Sequence, residues 1–567
     1  MKSKISHLLQ QAVENLKSDQ LITQDYQAKI QVDHTKDASH GDLATNLALV
    51  MGKAASLNPR EMANRLIAAF PASDLIEKVE IAGPGFINFF LKQTAASQII
   101  HRVLNEKYLF GHTDAGAGQK AQVEYVSANP TGPLHIGHGR AAVVGDCLAR
   151  ILEATGWKVT REYYYNDAGQ QIANLGLSVQ ARAKGILPGS EQWQPDWYQG
   201  HYIQDVAQDY LAKKSVEAAD KQVTALGDID NLEAIQEFAV AYLRREQDQD
   251  LKAFDVDFDV YFLESSLYKN GDIEKTVETL MQGGHTYEQD GALWLRTSDY
   301  GDDKDRVMRK SGGGYTYFLP DVAYHANKWN RGFKRVVDEF GADHHSTVAR
   351  VKAGLQALNM GIPKDWPEVV LHQMVTVMRG HEEVKISKRA GSYVTLRDII
   401  DEVGKDATRY FLAARRSNSQ MTFDLELAAS QTNDNPVYYI QYAHARICSA
   451  FRKLEEMGKS YDQALGLQQL ALLTLAEETS LMDKLSQFPE LISVAATNLE
   501  PHIIAHYLRE LASGLHGYYQ VGQNDENGRW IVENHDLCQA RMTLIDAVRQ
   551  VFANGLNLLG VSAPEKM

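Results

Sequence analysis

The chain has 567 residues, 44% hydrophobic and 23% charged, the balance of a folded globular protein with room for three or four domains of roughly 100–200 residues. Its formal net charge of −15 argues against a surface that grips nucleic acid everywhere, though not against a local basic track. Three scattered cysteines, Cys147, Cys448 and Cys538, exclude a disulfide framework or a C-x-x-C zinc site, and with no apolar signal region and no apolar run near ~18 residues the expectation is a soluble cytoplasmic protein with no membrane contact.

Residues 1–110 read as a small α+β unit. Ile5, Leu8, Leu9, Ala12, Val13 and Leu16 are spaced for a helix over 3–16. Residues 42–52 read as a second helix and 58–70 as a third, with Asn58 as cap and Pro59 as first helical residue. Strands are expected at 78–81 and 85–91, around the turn Gly83-Pro84-Gly85. The small, polar stretch 111–120 reads as a linker. A strand at 122–127, a helix at 136–155 and a strand at 157–165 then form a βαβ unit, which predicts a parallel, nucleotide-binding type of sheet. Residues 180 to about 285 are charged and mostly helical, an insertion into a middle domain spanning 111–429. The sheet is expected to resume at 291–296, 335–340 and 369–374. Strand signals fade beyond about 400, and 430–567 predict a helical bundle with amphipathic segments near 436–457, 471–485, 501–519 and 537–559.

The strongest chemical signal is Asn129-Pro130-Thr131-Gly132-Pro133-Leu134-His135-Ile136-Gly137-His138, in the loop after the first strand of the βαβ unit. Two imidazoles three residues apart share one face of the first helical turn. Gly137 lets a ligand near the backbone, and the helix N-terminus offers free N–H groups to phosphate. Such a site suits a triphosphate attacked at its α-phosphate, with the histidines donating to developing charge. By composition H-x-G-H is expected about 0.05 times in a chain like this, so chance placement at a βαβ loop is a poor account. The second signal is Lys385-Ile386-Ser387-Lys388-Arg389, before Ala390-Gly391-Ser392. Lysines on such a loop can reach β- and γ-phosphates and leave with pyrophosphate, although a short basic loop alone is more often solvated surface.

Together these motifs resemble the H-I-G-H and K-M-S-K-S signatures of class I aminoacyl-tRNA synthetases. The first is matched in full; the second departs at Ile386 and Arg389 but keeps both lysines. The resemblance implies an α/β Rossmann-like catalytic core and adenylate chemistry. His135, His138, Lys385 and Lys388 would be catalytic, and Pro130, Gly132, Gly137 and Ser387 would join them around ATP. Magnesium would come with the triphosphate, without a dedicated protein metal site.

A guanidinium needs fixed carboxylates and planar partners, and acids cluster after predicted strands, where α/β ligands sit. Here the sequence resembles arginyl-tRNA synthetases over nearly its whole length. The carriers are His40-Gly41-Asp42-Leu43-Ala44-Thr45-Asn46, Glu80-Ile81-Ala82-Gly83-Pro84-Gly85-Phe86, Val123-Glu124-Tyr125-Val126-Ser127-Ala128-Asn129, Asp167 with Gly169 and Gln171, Tyr317 with Asp321, and the segment from Asn435 to Arg446. The resemblance implies that Glu124, Ser127, Asn129, His135, Asp167, Gln171, Tyr317 and Asp321 bind arginine. His344 is placed with them, in Asp343-His344-His345, where some members carry glutamine. It also implies an N-terminal tRNA-binding domain, a C-terminal anticodon-binding bundle, a monomer, and adenylate formation that requires tRNA. Residues 430–567 hold 4 Lys and 6 Arg against 6 Asp and 10 Glu, so RNA binding there needs a local patch and stacking, for which Tyr438, Tyr439 and Tyr442 are candidates beside a core role.

Three other readings stand beside this one. A nucleotidyltransferase acting on a small molecule uses the same H-x-G-H chemistry but is usually one compact domain. A synthetase-like binding protein without catalysis would not need both histidines and both lysines. A class I lysyl enzyme is the nearest charge-matched rival.

Overall fold

A computed structural model of the chain describes residues 2–35, 37–167, 169–218, 221–384 and 394–567. The N-terminal unit runs α1 (Lys2–Ser18), β1 (Val32–His34), β2 (Leu43–Thr45), α2 (Leu47–Ala54), α3 (Pro59–Ala69), β3 (Ile76–Ala82) and β4 (Phe86–Leu91). Its strands form an antiparallel sheet of order β1-β2-β4-β3. Ile5, Leu9 and Val13 of α1 and Met62 and Leu66 of α3 bury against Ile87 and Phe89 in a core of their own. The Asn58 side chain accepts the Arg60 N–H at 2.9 Å, and Pro59 starts α3, so this cap is as the sequence announces. The helix expected over 42–52 starts later. Leu43–Thr45 alternate in burial and pair with both β1 and β4, and those tertiary partners outweigh helical spacing.

The chain continues through α4 (Gln93–Glu106), β5 (Lys120–Glu124), α5 (Ile136–Ala154), β6 (Lys158–Tyr165), α6 (Gln170–Ala183), α7 (Tyr202–Leu211), β7 (Ser215–Glu217), β8 (Gln222–Thr224), α8 (Leu232–Ala253), β9 (Val260–Leu263), α9 (Glu264–Lys269) and α10 (Asp272–Gln282). Next come β10 (Thr286–Gln289), β11 (Ala292–Leu295), β12 (Arg306–Arg309), α11 (Phe318–Asn330), β13 (Arg335–Gly341), α12 (His345–Ala357), β14 (Glu368–His372), β15 (Val375–Arg379) and β16 (Glu382–Glu383). The central sheet is all-parallel, of order β14-β13-β5-β6-β9. Its connections leave in opposite directions from the β5–β13 pair, which opens a crevice at their C-terminal ends. Two expectations fail here. The strand foreseen at 291–296 is β11, which belongs to a separate antiparallel sheet, β10-β11-β12. The fifth central strand is instead β9, inside the stretch read as a helical insertion; four residues are too few to display a period.

After α13 (Leu396–Val403) and α14 (Lys405–Ala413), β17 (Met421–Asp424) pairs parallel to β15, a strand the fading β signal hid. Following α15 (Leu425–Ala429), the bundle consists of α16 (Pro436–Glu456), α17 (Gln463–Gln468), α18 (Ala476–Asn498), α19 (His502–Asn524) and α20 (His535–Leu558). α4 packs on α18 and α20, and one continuous core joins Ile100 and Val103 of α4, Val123 and Val337 of the sheet, and Phe488 and Leu508 of the bundle. The stretch 111–120 is pinned rather than loose. Thr113, Gly116 and Gly118 donate N–H groups to Ala154, Thr155 and Gly156 carbonyls at 2.8–2.9 Å. At Gly111 (φ +99°) a Cβ would meet Ile492 at 2.6 Å, so only glycine fits. The fully buried Arg409 of α14 donates to Leu559 O at 3.0 Å and Phe254 O at 2.9 Å, and pairs with Asp146 of α5.

Candidate active site

The crevice over β5 and β13 is a cavity of about 1370 Å³. Its walls come from the ends of β5, β13 and β14, the starts of α5 and α11, the turn Ala342–His344, and residues 195–199 of the insertion. The insertion is tied to the signature loop by the Tyr202 hydroxyl, which donates to Thr131 O at 2.8 Å.

At one end lie the two histidines. His135 is the N-cap of α5, its Nδ1 accepting the Gly137 N–H at 3.1 Å; His138 Nδ1 accepts the His135 N–H at 3.2 Å. The rings stack with centroids 3.7 Å apart. Since each Nδ1 is occupied by a backbone donor, the neutral rings carry their protons on Nε2. Gly137 has a second reason to be glycine: a Cβ there would come within 2.9 Å of the His135 ring. The second motif, with Lys385, Ser387 and Lys388, lies outside the described residues. Its flanks frame this end of the cleft. Glu383 lines the cavity, Thr395 bridges to His135, and Leu396 N–H donates to Leu134 O at 2.8 Å.

The other end is acidic. Glu124 ends β5 and is almost fully buried; it accepts from the fully buried Lys328 at 2.5 Å and from Ser127 Oγ at 2.9 Å. Lys328 also donates to Asp338 at 2.6 Å, and Asp338 contacts His325 at 2.8 Å. Against the pull of burial, Lys328 and His325 hold the Asp338 carboxyl down at about 2. The strand foreseen to 127 stops at Glu124 because Val126 (φ +68°) and Ser127 (φ +39°) turn left-handed; such strain in a β-branched residue is typical of functional loops. Asp321, in the first turn of α11, has no hydrogen bond or ion pair to its carboxylate among the described residues. Burial, reinforced by Glu264 and Glu124 and opposed by His325 and Arg350, pushes it up to about 7. Glu264, at the start of α9, accepts from Tyr164 Oη at 2.7 Å and is likewise raised by burial.

The cleft thus gathers Glu124, Ser127, Asn129, His135, Gly137, His138, Gln171, Tyr317, Asp321 and His344. Gln171 accepts from Asn129 Nδ2 at 2.7 Å, and Tyr317 is 76% exposed, open to a ligand. Pro130 and Gly132 are buried behind the wall, where Gln247 Nε2 donates to Gly132 O at 2.9 Å. Asp167 is not in the lining; its carboxylate takes the Ser265 N–H at 2.9 Å and Oγ–H at 2.7 Å, bracing the start of α9. Sequence reasoning missed Glu264, Lys328, His325 and Asp338. Glu264 follows the missed strand β9, and the other three read as ordinary residues of a helix and a strand until folded together.

Residues 99–448 match the model of the class I (R) tRNA synthetase catalytic domain, 3–91 that of the arginyl tRNA synthetase N terminal domain, and 440–567 that of the DALR anticodon binding domain. The chain belongs to the arginyl-tRNA synthetase family. It is 56% identical to the arginine–tRNA ligase of Geotalea daltonii over 100% of both chains, and 58% identical to that of Geotalea uraniireducens over 539 residues, 95% of each. A putative arginyl tRNA synthetase structure from Campylobacter jejuni aligns at TM-score 0.73 and 31% identity, over 84% of this chain and 100% of that one. The Thermus thermophilus arginyl-tRNA synthetase has the same fold, at TM-score 0.75 and 21% identity over 100% of both. In this arginyl-tRNA synthetase family member no helix among the described residues is long and apolar enough to cross a membrane.

Proposed function

We propose that this arginine–tRNA ligase joins arginine to ATP across the cleft, with the guanidinium at the acidic end and the triphosphate at the His135–His138 end. The observation that carries this reading is one cavity with an Asp321 carboxylate that has no partner among the described residues at one end and two Nε2–H imidazoles on a helix N-terminus at the other. Asp321, Glu264 and the Tyr317 hydroxyl suit a guanidinium. Glu124, already neutralised by Lys328, orients more than it attracts. An arginine carboxylate oxygen attacks the α-phosphorus; the bond to the bridging oxygen breaks and its electron pair leaves with pyrophosphate. The two Nε2–H groups and the α5 N-terminus stabilise the charge that builds there. A 3′-terminal tRNA hydroxyl then attacks the acyl carbon and AMP leaves. Lys385, Ser387 and Lys388 are assigned to the β- and γ-phosphates. Among the described residues no three His, Cys, Asp or Glu converge as metal ligands, and magnesium, as in the family generally, enters with the triphosphate.

In the same reading residues 1–110 and 430–567 hold tRNA, and the chain acts as a cytoplasmic monomer. The acidic bundle has the local patch this requires. A cavity of about 910 Å³ is lined by Arg446, Arg452, Lys453, Arg529 and Lys566, with Tyr442, Tyr519 and Trp530 as stacking surfaces. Adenylate formation waits for tRNA, and Arg409 supplies a physical route, linking Leu559 at the end of α20 to Asp146 of the helix that carries both histidines. The test is ATP–pyrophosphate exchange with each amino acid, with and without arginine-accepting tRNA. Exchange is expected with arginine only, and only once tRNA is present. Full exchange without tRNA would reject the coupling; exchange with lysine in place of arginine would reject the substrate.

A further inference from the structure

One buried charge pair of the cleft has no role in the chemistry above. His372 ends β14, opposite Gly341 in the parallel register with β13. Its Nδ1 lies 2.6 Å from Glu339 Oε1, with the imidazole 14% exposed and the carboxylate fully buried. Glu339 Oε2 is buried with no hydrogen-bond partner among the described residues. Both residues line the cavity, and the His372 Cε1 sits 4.0 Å from where a Gly341 side chain would begin. The ring therefore lies across a glycine from the turn Ala342–His344, at the wall of the cavity.

We propose that His372, oriented by Glu339, is a further nucleotide-binding residue whose outer ring N–H takes the ribose of ATP. The proposal rests on the assignment of the α5 end of the cleft to ATP. Between the α5 N-terminus, which takes phosphate, and the apolar wall of Val369, Met374 and Val375, which suits a base, the sugar must pass the end of β14. Arg140 of α5 fixes that stretch from behind, donating to Gln373 O at 2.7 Å and Arg416 O at 2.8 Å. With Nδ1–H committed to a carboxylate, the protonated ring presents Nε2–H as a donor. Its positive charge also favours an anionic nucleotide.

The charged groups facing His372 are Glu339 from β13, Arg140 from α5 and Asp343 from the turn after β13. Burial and Arg140 act against the charged ring, Glu339 and Asp343 act for it, and the balance raises the ring above its ordinary value. The charged form is complete below the ordinary value and is lost as pH rises through the raised one, so ATP binding weakens toward alkaline pH.

The experiment measures exchange kinetics of the full-length enzyme with saturating tRNA and magnesium, from pH 6.0 to 8.5, for wild type, His372→Gln and Glu339→Gln. In wild type the KM for ATP should rise about five- to tenfold across the range. His372→Gln should hold the high value at every pH, and Glu339→Gln, isosteric with the native side chain, should move the rise to lower pH. The KM for arginine and the thermal midpoint of each variant should stay near wild type. A His372→Gln enzyme with the wild-type KM for ATP and the same pH profile overturns the proposal; so does an equal rise in the two KM values. Absence of exchange in the wild type would instead strike the ATP-site reading beneath it.

Discussion

If Asp321 holds the guanidinium as proposed, arginine binding is a proton-linked event. Burial pushes its carboxyl up to about 7, so at pH 7 about half of the molecules carry a neutral side chain and at pH 6 about nine in ten do. A guanidinium selects the ionised form, so arginine binding should expel a proton near neutrality. The sign follows: affinity is full above the raised value and falls as pH drops through it, by about tenfold between pH 8 and pH 6. Asp321→Asn should remove this dependence. It should also lose the charge-assisted bond, worth about 1.5–3 kcal/mol, which is a roughly 10- to 150-fold weaker arginine at pH 8. The KM for ATP should change less than about twofold, because the nucleotide end shares no hydrogen bond with Asp321. Citrulline, isosteric but uncharged, should lose less than arginine does. Calorimetric titration of arginine in buffers of different ionisation heats reads proton release directly, and exchange kinetics supply the two KM values. Arginine affinity independent of pH in the wild type, or equal losses for arginine and ATP in the variant, would show that Asp321 supports the helix rather than the substrate.

His135→Ala and His138→Ala should each slow adenylate formation by about 2–4 kcal/mol of transition-state stabilisation, seen in kcat with tRNA present and arginine affinity retained. His135→Ala also removes the α5 cap, a further cost of about 0.5–2 kcal/mol in urea unfolding; normal turnover in either variant would mean that the nucleotide lies elsewhere. Lys328→Met should destabilise the fold by about 3–5 kcal/mol, because Glu124 and Asp338 would be left buried without their cation. An unchanged urea midpoint for Lys328→Met would show that water reaches the cluster.

The parts of this molecule that could be read in advance were those whose signal is local. The cap at Asn58 and the histidine signature announce themselves within ten residues or so, and the βαβ unit within the single stretch Lys120–Tyr165. The acidic end of the cleft was legible only in part. Tyr317 and Asp321 stand four apart in one motif, but Glu264 depends on recognising β9, a four-residue strand without periodicity. Lys328 looks like any lysine near the end of a helix, and its burial between Glu124 and Asp338 is a fact of tertiary packing. Asp167 shows the reverse case: its place after β6 suggested a ligand contact, while its carboxylate is spent on the two donors of Ser265. The strands β2 and β17 went unread because each is very short and pairs with a strand distant in sequence, β4 and β15 respectively.

Because α4, the parallel sheet and the bundle draw on one continuous core, the chain is not three exchangeable blocks. Grafting a foreign bundle onto the catalytic sheet would strip Phe110 of Phe488, its stacking partner 6.1 Å away, and leave Arg409 facing no Leu559 carbonyl. A splice just after Leu91 passes instead between two separate cores. Recombination can therefore trade the first ninety or so residues of such a gene while the rest travels as a single heritable piece.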